Sequence, residues 1–473
     1  EPHRSPIDIA ILDEGRRAVV ANHTADSITL VDLQSGMILD EKPAGRRPAA
    51  VAAHPNGKLL AVSNHWSHDV TLFRIENAKL VQHGTFAVGP LPRGVLFSQT
   101  GEQLFVAVAG ADEVATIEVA ACKVIRRWPA PREPRQLALS PDGKRLAAAS
   151  SRSGEIRCWD LSTGQLLWER AIDAAFNLRG LCFTPDGEAI ICAHGVRRDL
   201  PVTRGHIEEG WIIDSRLTRL PVQPDAKPPY LQVALDVRGE AMGDPHGLAF
   251  SADGKLLAVT GSGSHELIVL HANNLPWNTD PGDFIDGRLL DGVQYHRLAL
   301  GSRPLTAVFA KDHVVVANYL SDGVDVIDVA KNKLTRTIAL GGPKEPSLVR
   351  QGEALFYDAK RSHNQWFSCH TCHTDGHTSG QNFDTLNDES FGTPKLAPTL
   401  RNVAKTGPWT WHGWQKDLGA AVAKSFTDTM YGPAPSKRDV QAVVAFLETL
   451  EPPPLPKKND PAITRGAAVF SEK

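Results

Sequence analysis

Long apolar runs are missing from this 473-residue sequence, and nothing in it approaches the roughly 20 residues that a membrane-spanning helix needs. Neither sign of charge dominates: 51 Lys and Arg stand against 54 Asp and Glu, a net charge of −3. That leaves no basic excess for a generic nucleic-acid binder. Cysteine is sparse, with 6 residues, and methionine sparser, with 3. An initiator Met and a signal peptide are also missing, because the chain opens Glu1-Pro2-His3, so its start is expected to be processed or cut. What is abundant is turn chemistry, with 39 Gly and 33 Pro in an otherwise ordinary globular composition. Length alone suggests roughly three domains at about 150 residues each, a rule that large β-folds break.

A repeat fills the first three quarters. Apolar alternation, a tight turn and a second apolar run recur at Asp13-Glu14-Gly15, Pro55-Asn56-Gly57, Gln99-Thr100-Gly101, Pro141-Asp142-Gly143, Pro185-Asp186-Gly187, Ala252-Asp253-Gly254 and Ala310-Lys311-Asp312. The third residues of these turns lie 42, 44, 42, 44, 67 and 58 residues apart. Each unit reads as four short strands; in the second, these are 50–54, 58–64, 69–76 and 80–88. Asn-Gly and Asp-Gly supply the positive φ that tight turns need. Units of about 40–45 residues with four strands each predict a β-propeller, here with seven blades over residues 5–342. The first domain is therefore set at 1–345.

Ser140-Pro-Asp-Gly-Lys-Arg-Leu-Ala-Ala-Ala and Val315-Val-Ala-Asn followed by Val324-Asp-Val-Ile-Asp resemble the YVTN-type propeller repeat family. The resemblance implies a fold and leaves function open. Insertions fall at Gly195–Pro245 in blade five and Asn273–His296 in blade six, and are read as variable surface loops. Arg93, Arg135, Arg179 and His246 share one repeat position at the start of the innermost strand. They are read as solvated rim residues or structural donors, with a polar cluster at the tunnel mouth as the alternative. The 13 propeller histidines look scattered over different repeat positions, which disfavours a clustered copper site.

The character changes after Gly342. A short helix is predicted after a Ser347 cap. Then comes Cys369-His370-Thr371-Cys372-His373, the C-x-x-C-H attachment motif for c-type haem. Two thiols three apart can reach two vinyl groups, and the following His can face the iron. A zinc site using His363 or His377 is the competing reading. Haem attachment implies a periplasmic or otherwise extracytoplasmic protein. Cys122, Cys158, Cys182 and Cys192 read as buried small hydrophobes, and the diagonal register of Cys182 and Cys192 argues against a bridge.

Several flanking segments follow one order: Gly352-Glu-Ala-Leu-Phe, the motif itself, Ala397-Pro-Thr-Leu-Arg-Asn-Val, Pro408-Trp-Thr-Trp-His-Gly and Val443-Val-Ala-Phe-Leu-Glu-Thr-Leu. Together they resemble a haem domain of the di-haem cytochrome c peroxidase/MauG family, and the fusion resembles planctomycete propeller–cytochrome proteins. The fold class implied is an all-β seven-bladed propeller followed by an all-α c-type cytochrome domain at 346–455. Arg465-Gly-Ala-Ala-Val-Phe mirrors Gln351-Gly-Glu-Ala-Leu-Phe. Residues 456–473 are therefore read as a linker, Pro452–Lys458, and the start of a second haem domain cut off by the chain end. One covalently bound haem c is expected here and a second beyond residue 473.

The resemblance puts Met430 where the family's electron-transfer haem takes an axial Met, with a core methionine as the plain alternative. The metal ligands are thus read as His373 and Met430, with His377 and His412 as rivals for the distal side. Trp409 and Trp411, with Trp414, are expected to pack on the porphyrin. The sequence also departs from the family: Ala420 stands where a catalytic Glu is usual, and His412 where Asp or Asn is usual. No catalytic residue is assigned. Two readings follow. One is a haem oxidoreductase handling peroxide or a small-molecule substrate. The other is a non-enzymatic mono-haem electron-transfer module on a protein-binding propeller. A redox partner protein or small electron carrier is expected in both.

Overall fold

In the computed structural model, residues 1–454 and 461–472 are described. Seven four-stranded antiparallel sheets follow one another along the chain, each built from four consecutive strands. The innermost strands are Pro6–Leu12, Pro48–Ala53, Pro92–Phe97, Pro134–Leu139, Ala175–Phe183, Pro245–Phe250 and Pro304–Ala310. Each packs on the innermost strand of the next blade, and the seventh on the first, which closes the ring. The four strands of blade two run 48–53, 59–64, 69–76 and 79–87, within two residues of the sequence reading. The turns work as their chemistry dictates. In blade four, Asp142 accepts from Ser140 Oγ at 2.5 Å and from the Lys144 N–H at 3.1 Å, and Gly143 takes φ +70°. Asp186 and Asp253 repeat this in blades five and six.

One feature of every blade is not visible as a motif. The residue just before the innermost-strand proline is left-handed: Ser5, Arg47, Leu91, Glu133, Asp244 and Arg303 all have φ between 48° and 57°. In blade five, Asn177 (φ 52°) does the same before Leu178. The ladder register then slips immediately after each of these positions. A bulge of this kind frees a residue from the ladder and re-aims its side chain. Arg93, Arg135, Arg179 and His246 are the residues in these bulges. Arg135 and Arg179, only 6% exposed, are not solvated rim residues, and Arg93 and His246 are partly buried.

The C-terminal part is helical with a minimal two-stranded pair at Asn382–Phe383 and Lys395–Leu396. Its helices are α2 (Leu348–Phe356), α3 (Cys369–Cys372), α4 (Leu418–Lys424) and α5 (Lys437–Glu448); α1 (Arg204–Glu208) lies within the blade-five insertion. Ser347 caps α2 by accepting from the Arg350 N–H at 3.1 Å. The helices α2 and α5 cross at Gly352, where an added Cβ would fall 1.8 Å from the Ala442 carbonyl oxygen. A further helix, α6 (Pro461–Ser471), follows, with Val469 and Phe470 exposed. The segment read as a linker lies largely outside the described residues. No described helix is long and apolar enough to cross a membrane.

The blade-five insertion is not a free surface loop. Val202, Ile207 and Ile212 from it, with Phe176 of the same blade, join Phe356, Trp366 and Phe426 of the helical part in one buried cluster. Burying this apolar surface on both sides is what fixes the two parts together. All six cysteines are unbridged; Cys182 and Cys192 sit diagonally across their hairpin.

Candidate haem site

The five residues of the motif fold as a single helical turn and its exit. Ser368 caps α3 in a capping box with Thr371. That turn puts Cys369, Cys372 and His373 on the wall of one cavity of about 470 Å³. Burial pushes the Cys369 thiol up to about 12 and the Cys372 thiol higher still, as expected for sulfurs facing an apolar chamber. His373 places Nδ1 2.8 Å from the Pro398 carbonyl oxygen. A carbonyl only accepts, so Nδ1 carries the proton and Nε2 is left as the electron-pair donor.

The rest of the cavity matches a flat apolar group with two polar ends. Phe356, Leu400, Val403, Trp409 and Val443 line it, as do Trp411 and Trp414 at its exposed rim. Two thiols on one turn, an imidazole with its lone pair free and an aromatic slot are the donor set and shape that a c-type haem requires. Met430 lines the same cavity, 3% exposed, directly after the π-helical turn Ser425–Thr429. Such a bulge shifts the side chains that follow it, and recurs at functional sites. His412 lines the cavity too, 57% exposed, with Nε2 3.9 Å from Asp388 Oδ2. His377 does not line it. Burial and nearby Arg401 lower His377 to about 4. His363, the other zinc candidate, bonds Glu208 at 2.9 Å instead. Among the described residues, no three His, Cys, Asp or Glu side chains gather as a metal site.

Ala420, expected at the acid position, is exposed and does not line the cavity. Among the described residues no glutamate lines it, and its one carboxylate is Asp388. Its contacts with Lys395 and Thr393 hold it near 2, so it stays ionised and cannot serve as a proton donor at neutral pH.

Sequence reasoning missed how the motif is held. The propeller grips it from behind, using its left-handed residues. Asp244 accepts from Ser368 Oγ and Thr371 Oγ1, both at 2.6 Å. Asn177 donates to the Thr371 carbonyl at 3.2 Å and accepts from Thr374 Oγ1 at 2.8 Å. Trp366 donates its indole N–H to the Ile213 carbonyl. Arg350 of α2 is buried at the seam of blades one and seven, donating to Ser5 Oγ, the Tyr319 carbonyl and Asp322. The Asp375 carboxylate, two residues past His373, contacts Arg135 of blade four, Arg179 of blade five (3.3 Å) and Arg303 of blade seven (3.6 Å). A single carboxylate can touch blades on opposite sides of a ring only from its axis. Asp375 therefore sits in the mouth of the propeller channel. Burial opposes its ionisation, but Arg179 and Arg135 overcome this and hold it well below the usual carboxylate range. The available signal was Asp375-Gly376, one residue beyond the motif, together with an αL-tolerant Asn or Asp at the matching positions of blades five and six.

Comparison with known proteins agrees with both halves. Residues 346–451 match the family described as di-haem cytochrome c peroxidase. Residues 17–123 match the seven-bladed β-propeller lactonase family, and 123–160 the WD domain G-β repeat. Hydrazine synthase subunit beta of Kuenenia stuttgartiensis is 28% identical over 211 residues, which are 42% of this chain and 54% of that protein. The chain thus spans about half the length of this curated relative. A chain of the solved Kuenenia stuttgartiensis hydrazine synthase superposes with a TM-score of 0.62 at 25% identity, covering 69% of this chain and 96% of that one. The chain is a seven-bladed β-propeller fused to a haem domain of the di-haem cytochrome c peroxidase type.

Proposed function

We propose that this is an extracytoplasmic c-type haem oxidoreductase whose haem, in this chain, transfers electrons and does not itself activate peroxide. Cys369 and Cys372 would attach the group covalently, and His373 and Met430 would hold its iron. When bound, such a haem supplies a one-electron Fe(III)/Fe(II) couple. The observation that carries this reading is the cavity lining: a buried methionine is present, and the one carboxylate among the described lining residues, Asp388, is held ionised and has no proton to donate at neutral pH. Pro398 orients His373, the aromatic wall keeps water out, and the exposed Trp411 and Trp414 mark where an outside electron carrier would approach.

The test is expression with haem-maturation machinery. Cys369→Ala and Cys372→Ala together should abolish covalent haem, read by mass and by haem stain after denaturation. Met430→Ala should turn a low-spin spectrum high-spin. A wild-type spectrum that is high-spin and responds to peroxide overturns the electron-transfer reading. One observation favours that second reading: His412 at the cavity rim beside Asp388 has the residue types of an acid–base pair. It requires peroxide turnover that His412→Ala abolishes.

A further inference from the structure

The channel mouth under Asp375 holds more positive charge than the protein itself balances. Each blade brings at least one basic or imidazole side chain to this end: in order, His23, His65 with Arg47, Arg93, Arg135 with Arg152, Arg179, His246 and Arg303. They act on one another electrostatically as a single cluster. Asp375 serves blades four, five and seven. Glu133 is shared between Arg135 and Arg152. Asp375 and Glu133 act on Arg93 only from beyond ion-pair distance, its guanidinium makes no hydrogen bond among the described residues, and its Nε is fully enclosed. The Nε atoms of Arg179 and Arg303, each in a side chain more than nine-tenths buried, are also enclosed and unpartnered.

Buried cations without counter-charge are costly. Burial, with repulsion from Arg135, pulls Arg93 down to about 9, and the same causes pull Arg179 down to about 10. The side facing Arg93 has a definite hydrogen-bonding character. His23 and His65 occupy the same repeat position, which the sequence reading of scattered histidines missed. Their Nδ1 atoms lie 2.8 Å and 3.3 Å from the carbonyl oxygens of Pro48 and Pro92. Carbonyls only accept, so the protons sit on Nδ1. Burial and neighbouring arginines keep both rings neutral, which makes each Nε2 an acceptor. A ligand that complements this set must bring negative charge to Arg93 and an O–H to an imidazole.

We propose that the mouth of the propeller channel, beside Asp375, binds a small oxyanion that retains a proton, of the hydrogen phosphate or bicarbonate type, with Arg93 as its charge partner and His23 and His65 as its acceptors. The site lies on the propeller side of the motif loop, separate from the haem cavity, and does not depend on how the haem works.

The test is calorimetric titration of the haem-loaded full chain at constant ionic strength, with inorganic phosphate and bicarbonate as separate probes and nitrate, which carries no proton, as the contrast. The expected result is saturable binding of phosphate or bicarbonate, whichever binds being the source, and weaker binding of nitrate. Arg93→Gln should weaken the binding by about tenfold or more, the scale of one lost charge-assisted hydrogen bond. Arg93→Lys, which keeps the charge but not the planar fork, should keep binding at reduced affinity. Arg93→Gln should melt no lower than wild type in buffer free of both anions, because it removes an unpaired buried charge. The proposal is overturned if neither probe saturates wild type by about 10 mM, the weak end of specific binding. It is also overturned if Arg93→Gln binds as wild type does, or if that variant is destabilised without anion.

Discussion

Replacing Asp375 by Asn removes the negative charge that the axial arginines share and changes almost nothing in shape. Among the described residues, Arg179 and Arg303 then each lose the one carboxylate within ion-pair distance, and Arg135 keeps Glu133. Removing one partner of a buried pair costs about 3–5 kcal/mol; Asp375 is a quarter exposed and Arg135 stays paired, so about 2–4 kcal/mol is expected. The loss should fall on the docking of the helical part. Urea denaturation followed by both haem absorbance and tryptophan fluorescence should therefore show the haem-domain transition moving earlier than the propeller transition. The pH dependence follows from the sign of the shift. The folded pKa of Asp375 lies below its unfolded value, so its stabilisation is complete above the unfolded pKa of about 3.9 and is lost only as pH falls through the lower folded value. The difference between wild type and Asp375→Asn should thus stay constant from about pH 5 to 8 and shrink only in stronger acid. In a double-mutant cycle, Arg179→Met should be costly in wild type and nearly neutral beside Asp375→Asn, a coupling of about 1–3 kcal/mol. A penalty below about 0.5 kcal/mol for Asp375→Asn, or a zero coupling, would refute the axial ion cluster as the latch between the two parts.

Gly352→Ala should separate α2 from α5 and lower haem-domain stability by about 3 kcal/mol or more, since its Cβ meets backbone and not a movable side chain; thermal melting checks it. Asp236 accepts from the Ser215 and Met242 N–H groups, and burial raises it to about 8. Its folded pKa is above the unfolded one, so stability should fall as pH rises from about 4 to 8, and Asp236→Asn should flatten that slope in denaturation curves. Asn177→Ala removes two hydrogen bonds to the motif loop and strains an αL position; loss of about 2 kcal/mol and faster proteolysis around residues 369–376 are expected.

The sequence by itself determined the periodic part of the protein. Turn spacing, Asp-Gly chemistry and alternation repeat locally, so seven blades could be read, and the strands of blade two within two residues. Cys369, Cys372 and His373 were legible for the same reason: three consecutive constraints on one helical turn are a local pattern. Only the tertiary structure decided what closes around them. Arg93, Arg135, Arg179, His246 and Arg303 stand tens of residues apart; a left-handed residue and the bulge after it turn the first four toward a common axis, and Arg303 is itself the left-handed residue of its blade. Asp375 reaches that axis from a sequence distance of more than 70 residues from the nearest of them, Arg303. The blade-five insertion reads as loop, yet it holds two strands of that blade, Ile213–Pro221 and Leu231–Ala234, and its remaining apolar residues gain a role by packing on Trp366 and Phe426. Local patterns reveal elements and motifs. Charge balance and domain docking depend on distances between residues far apart in the chain, and those are set by the closure of the ring.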